Sequence, residues 1–112
     1  MFALSFLEAY GAADQAQEWA ALTASQRSSI LSEFEAAGIS FIVSLFGSTE
    51  TPTSSGYNPI DTANTMAAWV IQYGLQGVDV DYEACCMISL IVFMRANSSS
   101  GFFSLQRWYW RC

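Results

Sequence analysis

The 112-residue chain contains no histidine and no lysine, and arginine supplies all four of its basic side chains. Ten acidic residues outnumber them and give a formal net charge of −6. Nucleic acids and anionic membrane surfaces are bound through dense basic faces, which this composition does not provide. We therefore expect neither of them to be the main partner of the chain, and a neutral ligand suits its charge better.

Cysteine is scarce as well, and the chain has only three cysteines, with no Cys-x-x-Cys pair. Without histidine these residues form no zinc-binding pattern, so we expect no metal site of that kind. No uninterrupted apolar stretch reaches the roughly 20 residues that a membrane-spanning helix needs. The residues after Met1 lack the basic segment that opens a signal peptide, and the sequence leaves the compartment undetermined.

Apolar residues are abundant, at 53% of the chain, whereas charged residues make up only 12%. A chain of this composition can bury a core and is not a solvated, disordered polyelectrolyte. With 112 residues it forms one domain at most. We therefore expect an ordered globular fold.

The composition changes abruptly after Glu83. All ten acidic residues lie between Glu8 and Glu83, with Arg27 as the only basic residue among them. Residues 84–112 contain the other three arginines, all three cysteines, a Trp-Tyr-Trp cluster and no acid. We therefore predict a first domain over 1–83 and a separate tail over 84–112. We expect this tail to be the product of a frameshift or a retained intron rather than the native continuation.

Three segments of the first domain have the apolar and β-branched composition of buried strands, namely Phe2–Leu7, Ile39–Phe46 and Leu75–Tyr82. Two predicted helices alternate with these strands. Strand-helix-strand alternation favours parallel pairing, because each crossover helix returns the chain to the same edge of the sheet. The chain is therefore predicted to be of the α/β class.

The predicted helices begin at clear capping signals. A capping box that starts at Thr23 predicts a helix over 24–37. Asn58, followed by Pro59 at the first helical position, predicts a second helix that ends at Gly74.

Two long connections follow the first two predicted strands. We interpret residues 8–22 and 47–57 as loops rich in turn residues and longer than a bare connection requires. Loops at this end of parallel strands are where α/β proteins bind ligands. The ligand site is therefore expected at this edge of the sheet.

Three acidic residues alternate along the third predicted strand. Asp79, Asp81 and Glu83 lie two residues apart, so their side chains project from one face, and Tyr82 projects from the other. Neighbouring carboxylates that are buried together disfavour full ionisation, and a retained proton is what a general acid needs. The same spacing is also compatible with an exposed acidic strand end or with a divalent-cation site.

The segment LQGVDVDYE and the upstream strand-loop IVSLFGS resemble the signature of glycoside hydrolase family 18, the chitinase and endo-N-acetylglucosaminidase family. The family pattern is an Asp, two further residues, and then Asp-x-Asp-x-Glu. Asp79, Asp81 and Glu83 match its last three acids, and Gln76 stands where the first acid is usual. The stretch SLFG, which begins at Ser44, resembles the family motif Ser-x-Gly-Gly with Phe in place of the first Gly.

The resemblance implies that the acidic strand is the fourth strand of a TIM barrel. The chain would then be a partial (β/α)8 barrel of about three parallel strands, the second to the fourth, with two crossover helices. Glu83 would be the general acid, Asp81 would orient the 2-acetamido group and share a proton with Glu83, and Asp79 would tune Asp81. Tyr82 and Ser44 would contact substrate.

The implied reaction is substrate-assisted retaining hydrolysis, in which the acetamido oxygen attacks the anomeric carbon. The implied partner is a glycan with β-1,4-linked N-acetylglucosamine, as in chitin or the N-glycan core. The family reaction uses no metal and no organic cofactor, and an extracellular location is plausible for the family.

Two alternatives to an enzyme stay open. A relative that binds saccharides without cleaving them would accommodate Gln76 at the first acidic position, and a truncated or mis-spliced product would account for the change after Glu83. A TIM barrel needs eight β/α units, so we expect negligible chitinolytic activity from the 112-residue chain alone. We also expect self-association through open sheet edges.

Overall fold

The computed structural model describes residues 1–48, 50–52, 54–82, 88–96 and 103–106, with side chains described as far as Asp81. The strands are β1 (Phe2–Glu8), β2 (Gly11–Ala12), β3 (Phe41–Gly47), β4 (Gly77–Tyr82), β5 (Ile88–Ala96) and β6 (Phe103–Gln106). The helices are α1 (Asp14–Ala21), α2 (Ala24–Ala36) and α3 (Pro59–Gln72).

All described strands form one mixed sheet in the order β2-β1-β3-β4-β5-β6. Its centre is parallel: β1 pairs with β3, and β3 pairs with β4 in an unbroken register from Val43–Val78 to Gly47–Tyr82. Helix α2 lies between β1 and β3 in the chain, and α3 lies between β3 and β4. The predicted α/β class, the three parallel strands and the two crossover helices are therefore confirmed.

The two crossover helices begin where the local signals predict. Thr23 Oγ1 accepts a hydrogen bond from the Gln26 amide at 3.2 Å, and Gln26 Oε1 accepts one from the Thr23 amide at 2.9 Å. Asn58 Oδ1 accepts from the Ile60 amide at 2.9 Å, next to Pro59. Each cap satisfies backbone donors that a helix start otherwise leaves unpaired, so these boundaries depend mainly on nearby residues.

The interpretation of residues 8–22 as a loop is wrong, because this segment contains β2 and α1. The residue that precedes α1 is Ala13, which offers no side-chain cap. Packing stabilises α1 instead: Ala16 and Trp19 are buried, and Trp19 Nε1 donates to the Tyr73 carbonyl at 3.2 Å. The capping rules did not detect α1 because its stabilisation is tertiary.

The hydrophobic core lies between the sheet and one layer of helices. Because β1, β3 and β4 follow one another across the sheet, crossovers of the same hand place α2 and α3 on the same face. The core cluster joins residues of β1, β3 and β4 to buried residues of α1 and α3, and side chains of α2 pack against it. Its larger members are Leu4, Leu7, Phe41, Val43, Leu45, Phe46, Val78, Trp19, Met66, Val70 and Leu75.

The outer edges of β4 and β1 are both paired, the first along its whole length and the second only at its end. The outer edge of β4 pairs antiparallel with β5 along all six of its residues, and β5 pairs in turn with β6. The edge of β1 is paired with β2 only at Leu7 and Glu8. An open edge at β4 is therefore excluded, while the origin of residues 84–112 stays a prediction.

Across the described parts of the chain, no helix is both long enough and apolar enough to cross a membrane.

Candidate functional site

The acidic strand β4 carries Asp79 and Asp81 on the sheet face opposite the helices. Val78 belongs to the helix-side core, and Val80 packs against it. Side chains alternate along a strand, so the two aspartates project away from that core. In the parallel register Asp79 lies beside Ser44, and Asp81 lies beside Phe46. The predicted common face of Asp79 and Asp81 is therefore confirmed.

Ser44 and Asp79 are joined directly. Ser44 Oγ donates a hydrogen bond to Asp79 Oδ2 at 3.2 Å, and Ser44 itself is buried. Partial burial raises the pKa of Asp79 above its ordinary value, the Ser44 hydrogen bond opposes this rise, and the charge of Asp81 adds to it. A carboxyl group whose pKa is raised in this way retains its proton to higher pH, and hydrogen bonding fixes its orientation.

The predicted general acid, Glu83, lies outside the described residues, so its position and role stay predictions. Tyr82 is the last residue of β4, and only its backbone is described. The proposed pairing of Glu83 with Asp81 accordingly rests on the sequence pattern.

Gln76, which stands at the usual place of the first acid of the family pattern, connects the starts of two strands. Its side-chain Oε1 accepts a hydrogen bond from the Phe41 amide at 2.9 Å, and its own amide donates to the Phe41 carbonyl at 2.9 Å. Gln76 therefore has a structural role at the end of the sheet away from the carboxyl ends of β3 and β4.

The SLFG stretch ends β3 in an unusual backbone conformation. Phe46 and Gly47 both have φ near +75°, a region that residues with a side chain seldom adopt. A Cβ atom on Gly47 would lie 3.1 Å from the Phe6 ring, so the glycine permits both the turn and the close approach of the ring. The sequence after Ser44 therefore turns the chain sharply at the carboxyl end of β3.

Two further carboxylates, which no sequence motif indicates, lie at the carboxyl ends of the strands. Glu8 ends β1, Glu50 follows β3, and both are buried. Both Glu50 carboxylate oxygens accept from the Ala9 amide, each at 2.9 Å. Burial raises the pKa of Glu8, and the charges of Glu50 and Asp14 raise it further. The position of Glu8 at the end of an apolar run was the signal that could have indicated it.

Two concave regions lie on the helix side of the molecule. A pocket of about 380 Å³ lies between the β1–β2 hairpin and α3, where Tyr10 and Trp69 line it. A groove of about 370 Å³ lies between α2 and α3, where the Arg27 guanidinium sits 5.0 Å from the centre of the Tyr73 ring. Neither region includes Asp79 or Asp81, so neither is part of the acidic face.

Metal-ligating side chains do not gather on the described part of the chain, where no group of three or more His, Cys, Asp or Glu residues could hold an ion.

Compared with known proteins, the chain matches no protein-family model, and neither a curated protein nor a solved structure is detectably similar to it.

Proposed function

We propose that this chain is a glycoside hydrolase family 18-like polypeptide whose acidic face binds β-1,4-linked N-acetylglucosamine. The observation that carries the proposal is the Ser44–Asp79 hydrogen bond on the same sheet face as Asp81. This hydrogen bond joins the two segments that resemble the family, SLFG on β3 and VDVDY on β4, which are far apart in the sequence.

The sheet topology supports a partial β/α barrel as the architecture. Parallel strands that follow one another in chain order, with helices on one face, are the arrangement of a singly wound barrel. A doubly wound sheet would instead place helices on both faces. In a barrel the face opposite the helices is the interior, which is the face that carries Ser44, Asp79 and Asp81.

In the proposed reaction each acid of this face has a different role. Glu83 protonates the glycosidic oxygen while the substrate's own acetamido oxygen attacks the anomeric carbon, so no enzyme nucleophile is required. Asp81 orients the acetamido group for this attack and shares a proton with Glu83. Asp79, held by Ser44, tunes the charge of Asp81, and its raised pKa supports a proton retained among these acids.

The test is a calorimetric titration of the full chain with tetra-N-acetylchitotetraose and with cellotetraose. Cellotetraose has the same β-1,4 linkages and carries a hydroxyl in place of each acetamido group. We expect binding of the first sugar only. We also expect Asp81→Asn to weaken it by about tenfold or more, since hydrogen bonds to charged groups are worth about 1.5 to 3 kcal/mol.

The matched control is Asp61→Asn, which makes the same chemical change on an exposed residue of α3. This variant should bind tetra-N-acetylchitotetraose as the wild type does. Equal affinity for the two sugars, or no effect of Asp81→Asn, would contradict the proposal.

A further inference from the structure

The pocket between the β1–β2 hairpin and α3 has no part in the proposed function. Its volume is about 380 Å³, which is enough for a small organic molecule. Leu7 and Met66 of the hydrophobic core form part of its wall, and Tyr10 and Trp69 contribute aromatic rings. A buried acidic residue, Glu8, also lines it. The pocket therefore combines apolar and aromatic surface with a carboxylate.

The hairpin and the helix hold the polar and aromatic side chains of the pocket in place. Glu8 pairs with Gly11 across the hairpin, and Tyr10, which is 72% exposed, lies in the turn between them. Trp69 lies on α3, and its ring packs against that of Tyr73 at a centre-to-centre distance of 4.6 Å. One aromatic ring of the pocket is thus fixed by packing, and the other is accessible to a ligand.

The Glu8 carboxylate keeps contact with solvent, although the residue as a whole is only 7% exposed. Among the described residues no hydrogen bond reaches this carboxylate, and no buried side-chain oxygen is left without a partner. Its two oxygens must therefore have accessible surface, since they would otherwise be both buried and unpaired. Because Glu8 lines the pocket, a ligand bound there can reach the carboxylate.

The charges around the pocket favour a cation. Among the side chains that the structure describes, no basic group lines it. Arg27, the one basic residue among residues 1–82, lines the separate groove between α2 and α3, where it lies 5.0 Å from the centre of the Tyr73 ring. The negative charges of Glu50 and Asp14 also act on Glu8. A bound cation would therefore offset negative charge that these side chains leave uncompensated.

We propose that this pocket binds a small organic cation with a quaternary ammonium group. The rings of Tyr10 and Trp69 attract such a group through their π electrons, and Glu8 supplies the opposite charge. Its methyl groups contact the apolar wall. A primary ammonium group has three hydrogen-bond donors to satisfy, whereas a quaternary group has none and suits a wall with so few acceptors. A divalent metal ion would need several oxygen ligands, and the pocket offers one carboxylate.

The test is a calorimetric titration of the full chain with choline and with 3,3-dimethyl-1-butanol, at mildly alkaline pH so that Glu8 is ionised. The alcohol has the shape of choline, with carbon in place of the charged nitrogen. We expect choline to bind more tightly by about tenfold or more. Amide chemical-shift mapping should place choline at Tyr10, Gly11 and Trp69, away from the groove that Arg27 lines.

Two variants with matched controls assign the binding to the ring and to the carboxylate. Tyr10→Leu removes an exposed ring of the pocket and should weaken choline binding by about threefold or more, whereas Tyr57→Leu, at an exposed tyrosine outside the pocket, should not. Glu8→Gln removes the charge and should reduce the affinity for choline to that for the alcohol. Glu33→Gln, an equivalent change on the exposed surface of α2, should leave choline binding as in the wild type.

The test stays decisive if Glu8→Gln does not fold, because Tyr10 lies on the surface and the two ligands are compared on the unaltered chain. Equal affinities for choline and the alcohol, no binding of choline at millimolar concentration, shifts outside the pocket, or full affinity in Tyr10→Leu would each overturn the proposal. None of these measurements involves a sugar or a residue of the acidic face, so their outcome is independent of the proposed function.

Discussion

Opposing effects act on the carboxyl group of Asp79 on the acidic face of β4. Partial burial, the largest effect, favours its protonated form, the hydrogen bond from Ser44 favours the ionised form, and the charge of Asp81 adds to the effect of burial. Asp79 is thereby balanced between opposing effects at the position where the proposed chemistry needs a tunable acid. The pKa of Asp79 can therefore be changed by replacing Ser44, a substitution that adds or removes no charge.

The first prediction concerns that balance. Ser44→Ala removes the hydrogen bond that lowers the pKa of Asp79, so this pKa should rise further above its ordinary value. A titration followed by the carbon chemical shift of the Asp79 carboxyl measures it directly. Ser48→Ala, on an exposed residue just after β3, should leave the titration unchanged. A Ser44→Ala titration that moves to lower pH would show that the hydroxyl does not stabilise the carboxylate.

At this scale the sequence identified some residues of the candidate site and missed other buried carboxylates for a physical reason. Asp79 and Asp81 share a face because a strand has a period of two, which can be read from the sequence alone. Glu50 and Ala9 are 41 residues apart and meet only because β1 and β3 are neighbours. Their contact depends on tertiary structure, and no local pattern encodes it.

At the scale of elements, α1 shows how packing replaces local signals. It has eight residues and no side-chain cap, and an isolated helix of this length is not stable in water. Trp19 anchors it by packing against Phe41 at a ring-centre distance of 4.7 Å and by donating to the Tyr73 carbonyl. By contrast, α2 and α3 could be predicted because their caps involve residues two or three positions apart.

The second prediction follows from this anchor. Trp19→Phe keeps an aromatic ring and removes the donor to Tyr73, so the free energy of unfolding should fall by about 1 to 3 kcal/mol. Chemical denaturation measures the loss. Tyr10→Phe removes the hydroxyl of a residue that is 72% exposed and should change the free energy by less than about 0.5 kcal/mol. Equal effects of the two substitutions would mean that Trp19 does not anchor α1.

At the scale of the whole molecule, the described part of the chain is an acidic body with few cations. Glu8 and Asp79 both have raised pKa values, with burial as the largest cause in each case. They lie on neighbouring parts of one sheet, so their protonation affects the stability of the same structure. We therefore expect both Glu8 and Asp79 to contribute to the pH dependence of the free energy of unfolding.

The third prediction is that the chain loses stability as the pH rises from mildly acidic to neutral values. A raised pKa in the folded state contributes stability below the unfolded-state pKa, and this contribution is lost as the pH rises through the folded-state value. Denaturation midpoints measured across this range should fall, and the double variant Glu8→Gln, Asp79→Asn should flatten the profile. A wild-type midpoint that rises towards neutral pH would contradict the assigned directions.

The topology of the whole molecule also limits what the sequence could predict. Alternation of strands and helices gave the parallel centre of the sheet, because crossover connections restrict how such segments can pair. The antiparallel addition of β5 to β4 could not be anticipated in the same way, since it follows a change in composition that carries no crossover pattern. The sequence therefore did not predict that β5 covers the outer edge of β4, and self-association through the other sheet edges stays a prediction.

Amide chemical-shift mapping with tetra-N-acetylchitotetraose tests directly whether the acidic face of β4 binds the sugar. We expect the amides of Ser44, Asp79 and Asp81 to shift on titration, and cellotetraose to leave them in place. Shifts confined to the groove between α2 and α3, around Arg27 and Tyr73, or an unchanged spectrum at saturating sugar, would contradict the claim that the acidic face binds N-acetylglucosamine.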